Sequence, residues 1–193
     1  MTASDQIRWE RQHAEARGAQ APSGFLQEIV NGENWSLPRG KALDVACGEG
    51  RNALFLAARG FQVTAIDISP VGLEEGRRQA EQNSLSIDWQ QADLESVPLG
   101  PADYDLIVNI NYLQRSLIRR IKSSVKTGGH VIFETYLMDQ QTIGHPKNPE
   151  YLLAHNELLA HFRDFRVLCY REGRFLDGAA PSFRAGIFAQ RID

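Results

Sequence analysis

A chain of 193 residues with 42% apolar and 23% charged side chains is large and apolar enough to bury one core, which excludes a disordered or low-complexity protein. A formal net charge of −3 argues against a long polyanion such as nucleic acid as the main partner. Cys47 and Cys169 make no metal or redox spacing, the first 18 residues hold no apolar signal region, and no stretch reaches bilayer length. The expectation is a single cytoplasmic domain over residues 1–193, with no membrane partner.

Residues 4–17 are polar, with Ser4 or Asp5 as a cap and Ile7, Trp9 and Ala14 as the few apolar positions. They predict a surface helix that half-packs on the domain or serves as a lid, joined through residue 24 by a linker of small residues and Pro. Apolar residues at 25, 26, 29 and 30 predict a packed helix ending near Gly32. Leu43, Val45 and Ala46 predict a buried strand, Gly48 and Gly50 a turn, and residues 52–58 a helix. Residues 61–67 alternate as a second strand ending in Asp67, and Ser69-Pro70 opens a helix to about Asn83. Strands follow at 87–91 and 104–110, then a helix at 113–126 with a basic face, a turn at 127–129 and a fifth strand at 131–136.

The end of the chain changes character. Residues 138–149 are turn-rich, 151–162 are helical with a break at His155-Asn156, and 165–171 and 183–191 predict two strands. A strand pair closed by a short loop is most easily antiparallel, finishing the sheet with a reversed edge. Strands separated by helix-length segments imply a doubly wound, mostly parallel α/β sheet with ligands at the carboxyl ends of the strands.

Those ends carry Gly48 and Gly50, then Asp67, then Asp93, then residues 109–112. Asp67 follows Gly48 by 19 residues, the place where a carboxylate meets a ribose diol, and Asp93 is suited to accept from an adenine amine. Gly48-Glu-Gly50-Arg-Asn-Ala53 also satisfies the weak dinucleotide pattern Gly-x-Gly-x-x-Gly/Ala, so a nicotinamide-dependent oxidoreductase is an alternative. Asp44 points elsewhere: a charged side chain on the strand is placed to hold a cationic amine, while the helix start takes a carboxylate. Amine, carboxylate, ribose and adenine together describe S-adenosylmethionine.

Asp44-Val-Ala-Cys-Gly48-Glu-Gly50, Val63-Thr-Ala-Ile-Asp67-Ile-Ser, Gln91-Ala-Asp93-Leu, Tyr104-Asp-Leu-Ile-Val and Lys126-Thr-Gly128-Gly129-His-Val-Ile-Phe resemble, in order, the motifs of class I S-adenosylmethionine-dependent methyltransferases. Residues 47–53, Glu134-Thr-Tyr136 and the run 144–153 are similar to tellurite-resistance-type small-molecule methyltransferases. Such proteins often carry a Trp-acid…Tyr lid motif, where this chain has Trp9-Glu10 followed by His13. The resemblance implies a Rossmann-like seven-stranded sheet with an antiparallel C-terminal strand and helices on both faces. It implies S-adenosylmethionine as cofactor, S-adenosylhomocysteine as product, and a monomer or homodimer acting on a small-molecule methyl acceptor. The cofactor contacts it implies are Asp44, Ala46, Cys47, Gly48, Gly50, Arg51, Asn52, Asp67, Ile68, Asp93, Leu94 and Asn109.

Methyl transfer from a sulfonium is an in-line displacement, which asks for alignment and exclusion of water rather than a triad. The acceptor pocket is expected near Asn111, Glu134 and His145, with Tyr112, Arg115 and Tyr136 as the residues expected to act on the acceptor. The histidines lack partners at metal spacing, so no metal is expected, and Cys47 reads as a packed thiol. The remaining alternative is a non-catalytic protein that keeps the cofactor pocket.

Overall fold

The structure is a computed structural model that describes residues 21–176 and 180–193. The expected helix at 4–17, with its lid role, lies outside the described residues.

The first described helix is α1, Gly24–Asn31. Ser23 caps it, its hydroxyl accepting from the Leu26 N–H, and Phe25, Leu26, Ile29 and Val30 form the buried stripe that the spacing predicts. Alternating units follow: β1 Lys41–Val45, α2 Arg51–Ala57, β2 Gln62–Asp67, α3 Pro70–Gln82, β3 Ile87–Gln91, β4 Tyr104–Ile110, α4 Arg115–Ser124 and β5 Val125–Tyr136. Short 3-10 turns at Met138–Thr142 and Pro149–Tyr151 lead to α5, Glu157–His161, then β6 Arg166–Phe175 and β7 Ser182–Gln190.

The seven strands form one sheet in the order β3-β2-β1-β4-β5-β7-β6, parallel from β3 through β5. β7 runs antiparallel to both β5 and β6. The reversed strand therefore lies inside the sheet and β6 takes the edge, which corrects the expected reversed edge. The order turns outward between β1 and β4, the switch point where a crevice opens beyond the carboxyl ends.

Both faces of the central strands are covered, so β1 from Ala42 and β4 from Leu106 are buried throughout, their polar residues Asp44 and Asn109 included. One face packs Leu43, Val45, Ile107, Phe133 and Ile187 against α4 and α5 through Leu117, Ile121, Leu158 and Phe162. The other packs Ala42, Leu106, Val108, Ile132 and Phe188 against α1, α2 and α3.

Two elements differ from expectation for local reasons. β5 begins at Val125 instead of 131, because the expected turn pairs with the chain end: the Gly128 N–H bonds the Arg191 carbonyl and the Arg191 N–H the Gly129 carbonyl. The expected helix at 151–162 is only α5, since Leu153 spends its backbone on the end of β5, donating to the Tyr136 carbonyl and accepting from the Met138 N–H. Asn156, at φ 62°, then starts the helical turn.

Candidate functional site

The turn between β1 and α2 is built from left-handed residues, Ala46 at φ 54°, Gly48 at 56° and Gly50 at 75°. Ala46 holds a conformation that costs an L side chain on the order of 1 kcal/mol. The turn is supported from behind by residues that no motif pointed to. The Trp89 indole of β3 occupies the space a Cβ on Gly50 would need, and a Cβ on Gly76 of α3 would lie 2.5 Å from the same ring. Gly72, one helical turn earlier, would meet the Gly48 backbone at 3.0 Å. Two glycines at i and i+4 on α3 were the readable signal for this close approach.

Asp44 lies under the turn, 1% exposed. Gly50 has no side chain to cap α2, and the Asp44 carboxyl faces the Ala53 backbone at the start of that helix. Its Oδ2 has no hydrogen-bond partner among the described residues. Burial pushes its carboxyl up to about 7, with Asp67 adding to the rise and the Ala53 backbone and Arg51 opposing it. A buried acceptor with one oxygen unsatisfied fits a cationic amine.

Asp67 ends β2 with its oxygens accepting from the Gly48 N–H at 2.7 Å and the Ser69 N–H at 2.8 Å. It thus clamps the turn to the start of α3. Asp93 accepts from the Glu95 N–H at 2.9 Å and closes a turn whose Leu94 and Val97 carbonyls are held by Arg120. Ile68 is half-buried between these acids and Leu94 is buried. Asn109, also 1% exposed, donates to the Tyr112 carbonyl, and its Oδ1 has no partner among the described residues. Cys47 is buried, its thiol pushed well above the ordinary value by burial first and by Asp44 and Asp67 next, which leaves an inert packed group.

The expected acceptor residues divide. Tyr112 donates to Gln114 at 3.1 Å, and its hydroxyl is raised by burial first and then by Glu95, Asp93 and Asp67. Arg115 holds both Glu157 oxygens, at 2.7 and 3.0 Å, and the carbonyls of Glu150 and Leu152. His145 is exposed in the loop after the first 3-10 turn. Among the described residues no cluster of three His, Cys, Asp or Glu side chains could hold a metal ion.

Tyr136, Asn111 and Glu134 do come together, with two arginines that sequence reasoning missed. The Arg184 guanidinium lies 4.2 Å over the Tyr136 ring, donates to Asn111 Oδ1 at 2.5 Å and to Ser182 Oγ at 2.9 Å, and lies 3.7 Å from Glu134 Oε2. Arg171 donates to Glu134 Oε1 at 2.6 Å. The signal was a charged residue at an inward position of an otherwise apolar strand, Phe183-Arg184-Ala185 in β7 and Phe133-Glu134-Thr135 in β5. Arg51 and Asn52, expected at the methionine end of a cofactor, hold the entering chain: Arg51 donates to the Ala21 carbonyl and Asn52 accepts from the Ser23 N–H. Ser23 Oγ then donates to Glu134 at 2.9 Å, tying α1 to β5.

Residues 42–129 match the methyltransferase domain family. The ubiquinone biosynthesis O-methyltransferase of Acinetobacter baumannii (strain AYE) is 30% identical over 135 residues, 66% of this chain and 57% of that protein. The probable S-adenosyl-L-methionine-dependent methyltransferase TehB of Haemophilus influenzae is 28% identical over 139 residues, 68% of this chain and 48% of its own. The crystal structure of H. influenzae TehB superposes with a TM-score of 0.68 at 25% identity, covering 78% of this chain and 57% of that one. An S-adenosylmethionine-dependent methyltransferase from Aquifex aeolicus shares the fold over 96% of this chain and 97% of its own, with a TM-score of 0.67 at 16% identity. The chain spans about half the length of the curated relatives it matches. The motif order, the sheet order and these matches agree: the chain resembles the class I S-adenosylmethionine-dependent methyltransferases, TehB among them.

Proposed function

We propose that the protein transfers a methyl group from S-adenosylmethionine to a small-molecule acceptor. The observation that carries this reading is the unsatisfied Oδ2 of buried Asp44 beside a left-handed glycine turn. A ligand with no donor there would leave that acceptor stranded, at a cost of about 1–3 kcal/mol, whereas an ammonium satisfies it and draws the carboxyl into its ionised form. The cofactor supplies an activated methyl on a sulfonium.

The chain's own residues bind and orient. Asp44 is assigned the amine, Gly48 and Gly50 the open turn, and Asp67 the ribose hydroxyls with the lone pairs not spent on Gly48 and Ser69. Asp93 and Asn109 flank the nucleoside and the inner end of the crevice, with Ile68 and Leu94 as its apolar walls. Ala46 and Cys47 contribute backbone and packing. Tyr136 and Asn111 face the acceptor. Tyr112, its hydroxyl raised and bonded to Gln114, shields the crevice from water and does not serve as a base.

We place the protein in the cytoplasm, as a monomer or homodimer that acts on neither nucleic acid nor membrane. In support, three of the four α4 cations are spent internally, Arg115 on Glu157, Arg120 on two carbonyls and Lys122 on Asp164, and Lys126 at the start of β5 is spent on Asp105. No helix among the described residues is long and apolar enough to cross a membrane.

Release of S-adenosylhomocysteine during a screen of small-molecule acceptors tests the reading, with NAD(H) as competitor. At least one acceptor should give multiple turnovers that NAD(H) leaves unaffected. Cofactor binding without turnover on any acceptor would favour a non-catalytic role, and tight NAD(H) binding in its place would favour an oxidoreductase.

A further inference from the structure

We propose that the methyl acceptor carries a carboxylate and that Arg184 is the residue that selects it; this rests on the methyl-transfer reading above. Three guanidiniums, of Arg51, Arg171 and Arg184, gather around the single buried carboxylate of Glu134. Glu134 is committed to Arg171, at 2.6 Å, and to the Ser23 hydroxyl, and Arg171 has Glu28 as a second carboxylate at 3.7 Å. Arg184 lies 3.7 Å from Glu134, and its close partners, Asn111 Oδ1, Ser182 Oγ and the Tyr136 ring, carry no formal charge. Arg51 donates to a carbonyl, and it lies close enough to Arg184 for the two to oppose each other's charge.

The Arg184 side chain is 13% exposed. Arg51 has Asp44 and Glu134 as counter-charges, whereas Arg184 has Glu134 at 3.7 Å, a carboxylate already engaged by Arg171, so a further anion beside Arg184 is favoured. The geometry suits a carboxylate in particular. Bonds at Nε and Nη1 fix the guanidinium plane, and no hydrogen bond to a described residue engages Nη2, so one edge of a rigid fork is presented for paired recognition. Asn111 adopts φ 62° at the end of β4, placing its amide oxygen on Arg184. The arginine projects from β7, beyond β5, on the side of the switch point away from β2 and β3, where the nucleoside is assigned. That position favours the acceptor over the cofactor's own carboxylate as the source of the anion.

The test titrates the full chain, saturated with S-adenosylhomocysteine, with a set of small aliphatic and aromatic carboxylic acids and the primary amide of each. In the wild type at least one acid should bind at least about tenfold more tightly than its amide, a preference that added salt weakens. Arg184→Gln should reduce the preference below about threefold while holding S-adenosylhomocysteine within about threefold of wild type, the scale of one charge-assisted bond lost at one ligand only. Should that variant fail to fold, Arg184→Lys, which keeps charge but not the fork, should still lower the preference at least threefold. No acid preferred over its amide, or a preference unchanged in either variant, overturns the proposal. So does a tenfold loss of S-adenosylhomocysteine affinity in Arg184→Gln with binding of 5′-deoxy-5′-methylthioadenosine unchanged, because that probe lacks the carboxylate tail and the fork would then belong to the cofactor. Failure of the wild type to bind S-adenosylhomocysteine at all is a different result, and it overturns the methyl-transfer reading itself.

Discussion

Asp44 carries two opposed demands. Buried under the turn, it is held near a pKa of about 7 by desolvation, so between about pH 4 and 7 the folded chain keeps a proton that the unfolded chain has lost. Stability therefore falls with rising pH across that window, and the whole cost is present above 7. Asp44→Asn keeps an acceptor facing the Ala53 backbone without the charge, and at pH 8 it should raise the unfolding free energy by roughly 1–3 kcal/mol, read from urea denaturation. Below pH 4 the difference should vanish. Asp67 makes the contrary prediction. Its oxygens hold the Gly48 and Ser69 N–H groups, so Asp67→Ala should cost about 1–3 kcal/mol of stability and, in protein that remains folded, weaken S-adenosylhomocysteine binding by about 1.5–3 kcal/mol. An unchanged dissociation constant would show that Asp67 does not reach the ribose. The acids at 44, 67 and 93 were legible as a set because each ends or lies on a predicted strand. Their backbone partners were not, since a bond from a strand-end carboxylate to a neighbouring turn leaves no mark in periodicity.

At the scale of elements, α3 is specified as much by what it lacks as by its apolar stripe. Gly72 and Gly76 let it lie against the Gly48 backbone and the Trp89 ring. Gly76→Ala adds a methyl where the indole stands 2.5 Å away, and should destabilise by about 1–3 kcal/mol despite the better helix propensity of alanine. Combining it with Trp89→Leu should recover part of that loss in the same denaturation assay, and strict additivity would argue against the contact. The βα alternation from β1 to β5 followed from period and punctuation alone. The segment after β5 did not, because Leu153 and Gly128 take conformations set by partners far along the chain, the end of β5 and Arg191. Position in the sheet was also illegible for β6 and β7: a hairpin pattern says that two strands pair, and only packing decides which one meets β5.

Across the whole molecule, the sheet separates two tasks about its switch point. The acids at the ends of β1, β2 and β3 form one group, and Glu134, Tyr136, Arg171 and Arg184 on β5, β6 and β7 form the other, with the turn and the start of α2 between them. The second group lies outside the matched family region of residues 42–129; Glu134 and Tyr136 were legible from the resemblance at the end of β5, and Arg171 and Arg184 were not. The central claim is that the unsatisfied oxygen of Asp44 receives the cofactor's amine. Calorimetric titration of S-adenosylhomocysteine into wild type and Asp44→Asn at pH 6, 7 and 8 tests it most directly. Ligand ionisation is common to both proteins, so their difference reports Asp44. The wild type should gain affinity relative to the variant by up to about tenfold per pH unit below 7 and level off above it, with proton release on binding below 7. Equal affinities and parallel pH profiles for the two proteins would contradict the account.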